Sequence, residues 1–224
     1  MAPGPEHIDL DESAPLADTI PGSHPYARTK AQANKIVLKV NKPAQGNDGS
    51  GLLIACIRAP IVYGERDLLS IPGSLEALEK KQTGFQLGDG SNMWDFASAD
   101  NVAMAHVLLA KALLARHRDP TAPKVDGEAF NITDGERQRF WDFPRTIWKA
   151  AGWGPQPNES TRVMSPKLAL AVAMVLEWLY WVFTSGIKRP GLLSRQQVEY
   201  SCFEHTYQIG KAKERLGLCA CGGV

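Results

Sequence analysis

Apolar and polar positions change period several times along the chain, and the changes outline its elements. From Tyr26 to about Asn41, Ala27, Ala31, Val37 and Leu38 recur at helical spacing among polar residues. Ser23 or His24 followed by Pro25 marks the helix start, because proline is tolerated in a first turn. Leu52 to Pro60, LLIACIRAP, is a continuous apolar run closed by proline, which predicts a strand buried on both faces, as in a parallel sheet. A turn follows at Gly64, then a short amphipathic helix in SLEALEKKQ. FQLGDGSNMWDF reads as strand, glycine turn, strand. Val102, Ala105, Leu108, Leu109 and Leu113 form the apolar stripe of a helix that Ser98 or Asp100 can cap. EAFNIT, residues 128–133, predicts a second sheet strand, and FWDFPRTIWKAAGW a helix begun or interrupted at Pro144.

Helix, buried strand, helix, buried strand is a βα alternation. It implies an α/β fold with right-handed crossovers. The expected architecture is a partial doubly wound, Rossmann-like parallel sheet with a mainly helical second lobe. Two or three sheet strands are visible, where a complete doubly wound domain carries about six. The sheet part is expected in residues 1–64 and 91–135, and the lobe in 65–90 and 136–224.

One apolar stretch breaks the amphipathic pattern. Leu168 to Phe183, LALAVAMVLEWLYWVF, carries a single charge, Glu177. It is shorter than the roughly 20 residues of a spanning helix. Two readings stand: a hydrophobic helix of the lobe, or a helix dipping into one membrane leaflet with Lys167, Lys188 and Arg189 at its ends and Trp178 and Trp181 at the interface.

Composition narrows the chemistry. A net charge of +1 and only short basic runs argue against a nucleic-acid surface. Of the four cysteines, Cys56 lies in the apolar run as a small hydrophobe, and Cys219 and Cys221 form a lone C-x-C without a second pair at zinc spacing. No metal site and no disulfide framework is expected. The first residues, MAPGPEHIDLDESAPL, lack the basic and apolar regions of a signal peptide.

The candidate chemistry is a Tyr–Lys pair. Tyr26 and Lys30 stand four apart on a helix and share a face. A tyrosine hydroxyl ordinarily titrates near 10, and a nearby ammonium favours the phenolate. The same lysine can bond ribose hydroxyls while the tyrosine takes an alcohol proton as hydride leaves to a nicotinamide. The spacing alone is weak, since Tyr207 and Lys211 match it too; there TYQI reads as extended and Gly210 intervenes, so that pair shares no helical face.

PYARTKAQANKIVL, LLIACIRAPIVYGERD, FQLGDGSNMWDFASADNVAMAHVLLAKALL, GEAFNITDGE and FWDFPRTIWKAAG come in one order. Together they resemble the extended short-chain dehydrogenase/reductases, and within them the 3β-hydroxysteroid dehydrogenase group. The likeness runs from about Ile8 to Leu218, with KAKERLG matching the usual closing helix. It implies Tyr26 and Lys30 as the catalytic pair. It also implies Ala59, Pro60, Ile61 and Val62 as the segment against the nicotinamide, with Tyr26 and Lys30 touching the cofactor, NAD or NADP. Arg58 reads as structural. Phe85, Trp94 and Trp141 are candidates to line a substrate pocket, although such aromatics are more often core. The implied reaction is oxidation of the 3β-hydroxyl of a sterol or 4α-carboxysterol at the cytoplasmic face of the endoplasmic reticulum, with a homo-oligomer as a further expectation. Relatives acting on terpenoids or nucleotide sugars keep the substrate open.

The family's glycine-rich phosphate loop has no counterpart. Gly46, Gly49 and Gly51 follow a helix and precede a strand, the reverse of the required order. The acidic residue that binds adenosine ribose is also absent, and neither Ser13 nor Ser23 suits the catalytic Ser or Thr upstream of the Tyr. The expectation is a truncated copy with an unpaired sheet edge, whose alternative role is to bind a sterol-like ligand or a partner without turnover.

Overall fold

The computed structural model describes residues 6–43, 51–154, 160–187 and 193–219. In chain order the elements are β1 (His7–Leu10), a 3-10 turn (Ala17–Thr19), α1 (Pro25–Lys39), β2 (Cys56–Arg58), β3 (Ile61–Tyr63) and α2 (Ser70–Glu79). Next come β4 (Phe85–Leu87), β5 (Met93–Trp94), β6 (Phe96–Ser98), α3 (Ala99–Arg118), β7 (Ala129–Asn131), β8 (Gln138–Arg139) and α4 (Asp142–Ala150). β9 (Arg162–Met164), α5 (Pro166–Thr184), α6 (Arg195–Cys202), β10 (His205–Tyr207) and α7 (Gly210–Leu216) complete the order. The glycine cluster at 46 and 49, and Lys188 and Arg189, lie outside the described residues.

The chain divides into two compact units. Unit 1 takes Met1–Arg66, Asp95–Arg137 and Thr206–Val224. Unit 2 takes Asp67–Trp94 and Gln138–His205. The expected lobe boundary is corrected at its far end: the closing segment belongs with the sheet. The reason is burial, since Ala212, Leu216 and Leu218 share a core with Ala105 and Leu109 of α3 and with Phe130 and Ile132.

In unit 1 the apolar run 52–60 does not form one long strand. Cys56–Arg58 forms the strand, parallel to β7 with Ile57 opposite Phe130, and Leu52 makes an isolated antiparallel bridge with Lys42. Pro60 has no N–H to give a ladder. Beyond it the chain re-forms as β3, which pairs in parallel with β6, Tyr63 lying opposite Ser98. Parallel pairing is as expected, but in separate pairs. Gly64 turns the chain at φ +142°, where a Cβ would come within 3.1 Å of the Ala99 Cβ. The Ser98 side chain caps α3 by accepting from the Asn101 N–H. Among the described residues β2 pairs with no strand besides β7. The outer side of β7 is met by side chains: the Asn131 N–H donates to Glu12 Oε1 at 2.7 Å, and the Asn131 amide to the Leu10 carbonyl at 3.1 Å.

A buried carboxylate locks β3, β6 and α3 together. Asp134 accepts from the Tyr63 hydroxyl at 2.9 Å, the Ser98 N–H at 2.8 Å and the Asn101 amide at 2.6 Å. Burial first, and then this bond to Asp134, push the Tyr63 phenol well above its ordinary value.

Unit 2 holds helices and short strands. The two strands read in FQLGDGSNMWDF both form but do not pair with each other: β4 runs parallel to β9, and β5 antiparallel to β8. The Trp148 indole donates to the Ser74 carbonyl at 2.7 Å, tying α4 to α2. Ala169 and Ala173 of α5 pack on Val198 of α6.

Candidate active site

The site is built on α1 and β2 of unit 1. Pro25 opens α1, and the His24 ring accepts from the Tyr26 N–H at 3.3 Å. Lys35 pairs with Asp18 at 2.7 Å and fastens the helix to the 3-10 turn. The uninterrupted helix then stacks Tyr26 and Lys30. The Lys30 ammonium lies 5.6 Å from the centre of the Tyr26 ring. Tyr26 is 54% exposed, so its hydroxyl is open to a ligand.

Tyr26 and Lys30 line a cleft of about 440 Å³. Its other wall is the run Cys56 to Pro60, with Leu10, Leu16, Ala27, Ala31 and Val37 supplying apolar surface. The cleft thus lies along α1 and the run that contains β2. The Arg58 guanidinium donates from Nε to Asn34 Oδ1 at 3.3 Å and from Nη1 to the Glu12 carbonyl at 3.3 Å. Burial lowers its pKa from the usual arginine value, against the pull of Glu12. It therefore holds α1, β2 and the segment after β1 together, in keeping with a structural part. Burial likewise raises the Cys56 thiol, which keeps it protonated and unreactive at neutral pH.

The cleft brings together Tyr26, Lys30, Ala59 and Pro60. Ile61 and Val62 do not line it; they run on as β3 against Phe96 and Ala97. Tyr207 is in strand β10 and Lys211 in helix α7, so the second Tyr–Lys match shares no helical face. Sequence reasoning missed Asn34, which carries no motif, and set Tyr207 aside because its own Tyr–Lys match shares no helical face; both line the cleft. Tyr207 is held by a 3.2 Å bond with His7.

The three aromatic candidates lie in unit 2. Trp94 is 3% exposed, stacks on His205 with ring centres 4.3 Å apart and donates to the Phe203 carbonyl. Its place is core. The Trp141 indole donates to the Leu87 carbonyl at 2.9 Å and its ring meets Phe140 edge-on. Phe85 is exposed, with the Arg162 guanidinium 5.7 Å from its ring centre. Among the described residues no group of His, Cys, Asp and Glu side chains is arranged to hold a metal.

A Tyr and Lys on one helical face, set beside a parallel βα pair, define the short-chain dehydrogenase/reductase class. The chain belongs to the 3-beta hydroxysteroid dehydrogenase/isomerase family, whose model matches residues 3–163. It is 34% identical over 95% of its length to a decarboxylating sterol-4-alpha-carboxylate 3-dehydrogenase of Schizosaccharomyces pombe, covering 56% of that protein. The enzyme of the same name from Saccharomyces cerevisiae is 34% identical over 99% of the chain, which covers 58% of it. An Arabidopsis thaliana 3beta-hydroxysteroid-dehydrogenase/decarboxylase is 32% identical over 94% of the chain and 45% of that protein. The chain therefore spans about half the length of these relatives. Among solved structures, the dTDP-glucose 4,6-dehydratase DesIV of Streptomyces venezuelae with NAD matches at a TM-score of 0.55 and 17% identity. That match takes in 98% of this chain and 51% of the other. A Bacillus cereus UDP-glucuronic acid 4-epimerase with NAD matches at 0.54 and 13%, over 96% and 51% of the two chains. These show the shared fold.

Proposed function

We propose that the chain carries the proton-transfer side of an NAD(P)-dependent 3β-hydroxysteroid dehydrogenase acting on a sterol, with a 4α-carboxysterol as substrate. The observation that carries this reading is the meeting of Tyr26, Lys30, Ala59 and Pro60 in one cleft. The residues fit the nicotinamide-ribose part of a dinucleotide: an apolar wall for the ring and an ammonium for ribose hydroxyls. For the pyrophosphate the sequence offers no glycine-rich turn between a strand and a helix. When bound, the cofactor supplies a hydride acceptor. Tyr26 takes the proton of the 3β-hydroxyl, and Lys30 bonds the ribose hydroxyls. The 3-keto-4-carboxylate so formed loses CO2, because the ketone accepts the electron pair of the breaking C–C bond. Such a substrate is lipid-soluble, which supports a membrane-associated enzyme, and we read that membrane as the endoplasmic reticulum. The test is an NADH fluorescence titration of the purified chain. Saturable binding that weakens about tenfold in Lys30→Ala is expected; no binding would contradict an enzyme complete in this polypeptide.

A second reading, a sterol-binding protein without turnover, is supported by the apolar lining of the same cleft, Leu10, Leu16, Ala27, Ala31 and Val37. The same titration separates the two, since a ligand protein would take up a fluorescent sterol and not NADH.

A further inference from the structure

Pro25 opens α1 and has no N–H, so the first donors without an acceptor inside the helix are those of Tyr26 and Ala27. The Tyr26 N–H is taken by the His24 ring, whose Nδ1 accepts it at 3.3 Å. The Arg28 N–H turns back to the His24 carbonyl at 3.1 Å. His24 therefore holds the first turn twice, by its backbone and by its ring. A ring nitrogen that accepts carries no proton, so the imidazole is neutral, with its proton on Nε2. This sets α1 apart from other helices of the chain. The hydroxyls of Ser98, Ser165 and Ser194 cap α3, α5 and α6, and a hydroxyl accepts at any pH. Imidazole changes charge between about pH 5 and 8, and its cation has no lone pair to accept with. Protonation also sets a cation at the positive end of the helix dipole. The first turn has no acidic side chain to offset it, and Arg28 stands there already. Of the elements packed against α1, the 3-10 turn brings Asp18, paired with Lys35, and β2 brings Cys56 and Arg58. The segment after β1 brings Asp11 and Glu12. Among the described residues none of these carboxylates is in an ion pair with the His24 ring.

We infer that His24 is a positioning residue for Tyr26: its neutral ring caps α1 and fixes the first turn, and protonation of the ring releases that turn, so that the Tyr–Lys face is assembled at neutral pH and loosened in mild acid. The link from cap to chemistry is short. The ring holds the N–H of Tyr26 itself, whereas Lys30 stands one turn further in, toward the Lys35–Asp18 pair that fastens the helix. Fraying of the first turn moves the phenol relative to an ammonium that stays in place, and opens the 5.6 Å stack of Lys30 on the Tyr26 ring. The bond lies at the exposed surface, so the ring can exchange its proton with water. The catalytic part of this inference rests on the dehydrogenase reading; the cap itself does not.

The experiment is a series from about pH 8 to pH 5.5 on the isotope-labelled full chain and on His24→Ala and His24→Asn. Asparagine is a good cap and does not titrate in this range. Nitrogen chemical shifts of the His24 ring report its tautomer and charge, and hydrogen exchange at the Tyr26 amide reports the bond. At the alkaline end an unprotonated Nδ1 is expected, with the Tyr26 amide protected about fivefold more than in His24→Ala. That protection should fall as the ring protonates, on the same curve, and should persist in His24→Asn. A protonated Nδ1 at the alkaline end, or equal protection in wild type and His24→Ala, would overturn the inference. Turnover of a 3β-hydroxy-4α-carboxysterol with NAD is the second readout. His24→Ala should lower kcat about fivefold with the KM for NAD unchanged, and His24→Asn should restore it and flatten the acid limb of the pH profile. A kcat that is the same in all three proteins would overturn the positioning of Tyr26. No turnover by any of them would count against the dehydrogenase reading instead, and the inference would then stand or fall on the Tyr26 amide.

Discussion

Asp134 is the residue on which the most of unit 1 depends. Its carboxylate is 5% exposed and satisfies a hydroxyl, a backbone N–H and a side-chain amide from three elements. Asp134→Ala leaves those donors buried without their acceptor and should cost about 3 kcal/mol in a urea unfolding titration. Tyr63→Phe removes one bond and should cost about 1 kcal/mol. The Tyr63 phenol also carries a pH signature. Its folded pKa is raised, so its contribution to stability is complete below the ordinary tyrosine value of about 10 and is lost as pH rises beyond it. Wild type should thus lose stability between neutral and strongly alkaline pH more steeply than Tyr63→Phe, which equilibrium unfolding at several pH values would read. The motif NITDGE gave no sign of this role, because a buried network depends on which elements meet, not on local spacing.

At the scale of elements, ion pairs add to the apolar packing of α7 beside β7: Glu128, just before β7, meets Lys211 at 2.6 Å and Arg215 at 2.8 Å. Burial raises the Glu128 carboxyl, but hydrogen bonds and charge from Lys211 and Arg215 outweigh that and hold its pKa below the usual range. Asp126 behaves alike: burial raises it, and Asn41 and Arg116 bring it down. Depressed carboxylates stabilise the fold above their unfolded pKa, near 4, and that contribution is lost as pH falls through the folded values. Acid unfolding of Asp126→Asn should show a flatter pH dependence below about pH 4 than wild type. An unchanged slope would remove Asp126 from this part. Element types were well marked in the sequence where a pattern was long or capped. The α3 stripe, the Ser98 cap and the α1 helix were legible because each is a local property. The pairing of β4 with β9, the break of the 52–60 run at Pro60 and the return of α7 to unit 1 were not, since each rests on contacts between segments far apart in the chain.

Across the whole molecule, the Tyr–Lys helix and the run after it converge on one cleft, while the aromatics expected to touch substrate are spent in part on the core of unit 2. Trp94 shows why: a large aromatic in a strand is as well explained by packing as by a pocket, and only its burial against His205 decides. That Tyr26 and Lys30 would face one cleft was legible because helical spacing fixes the geometry of the two side chains. The measurement that tests the account most directly is oxidation of a 3β-hydroxy-4α-carboxysterol by the purified chain with NAD, with CO2 release followed alongside. The account predicts coupled formation of NADH and CO2, slowed at least about 100-fold in Tyr26→Phe while NADH binding is kept. Equal rates in the two proteins, or no turnover by wild type, would contradict it.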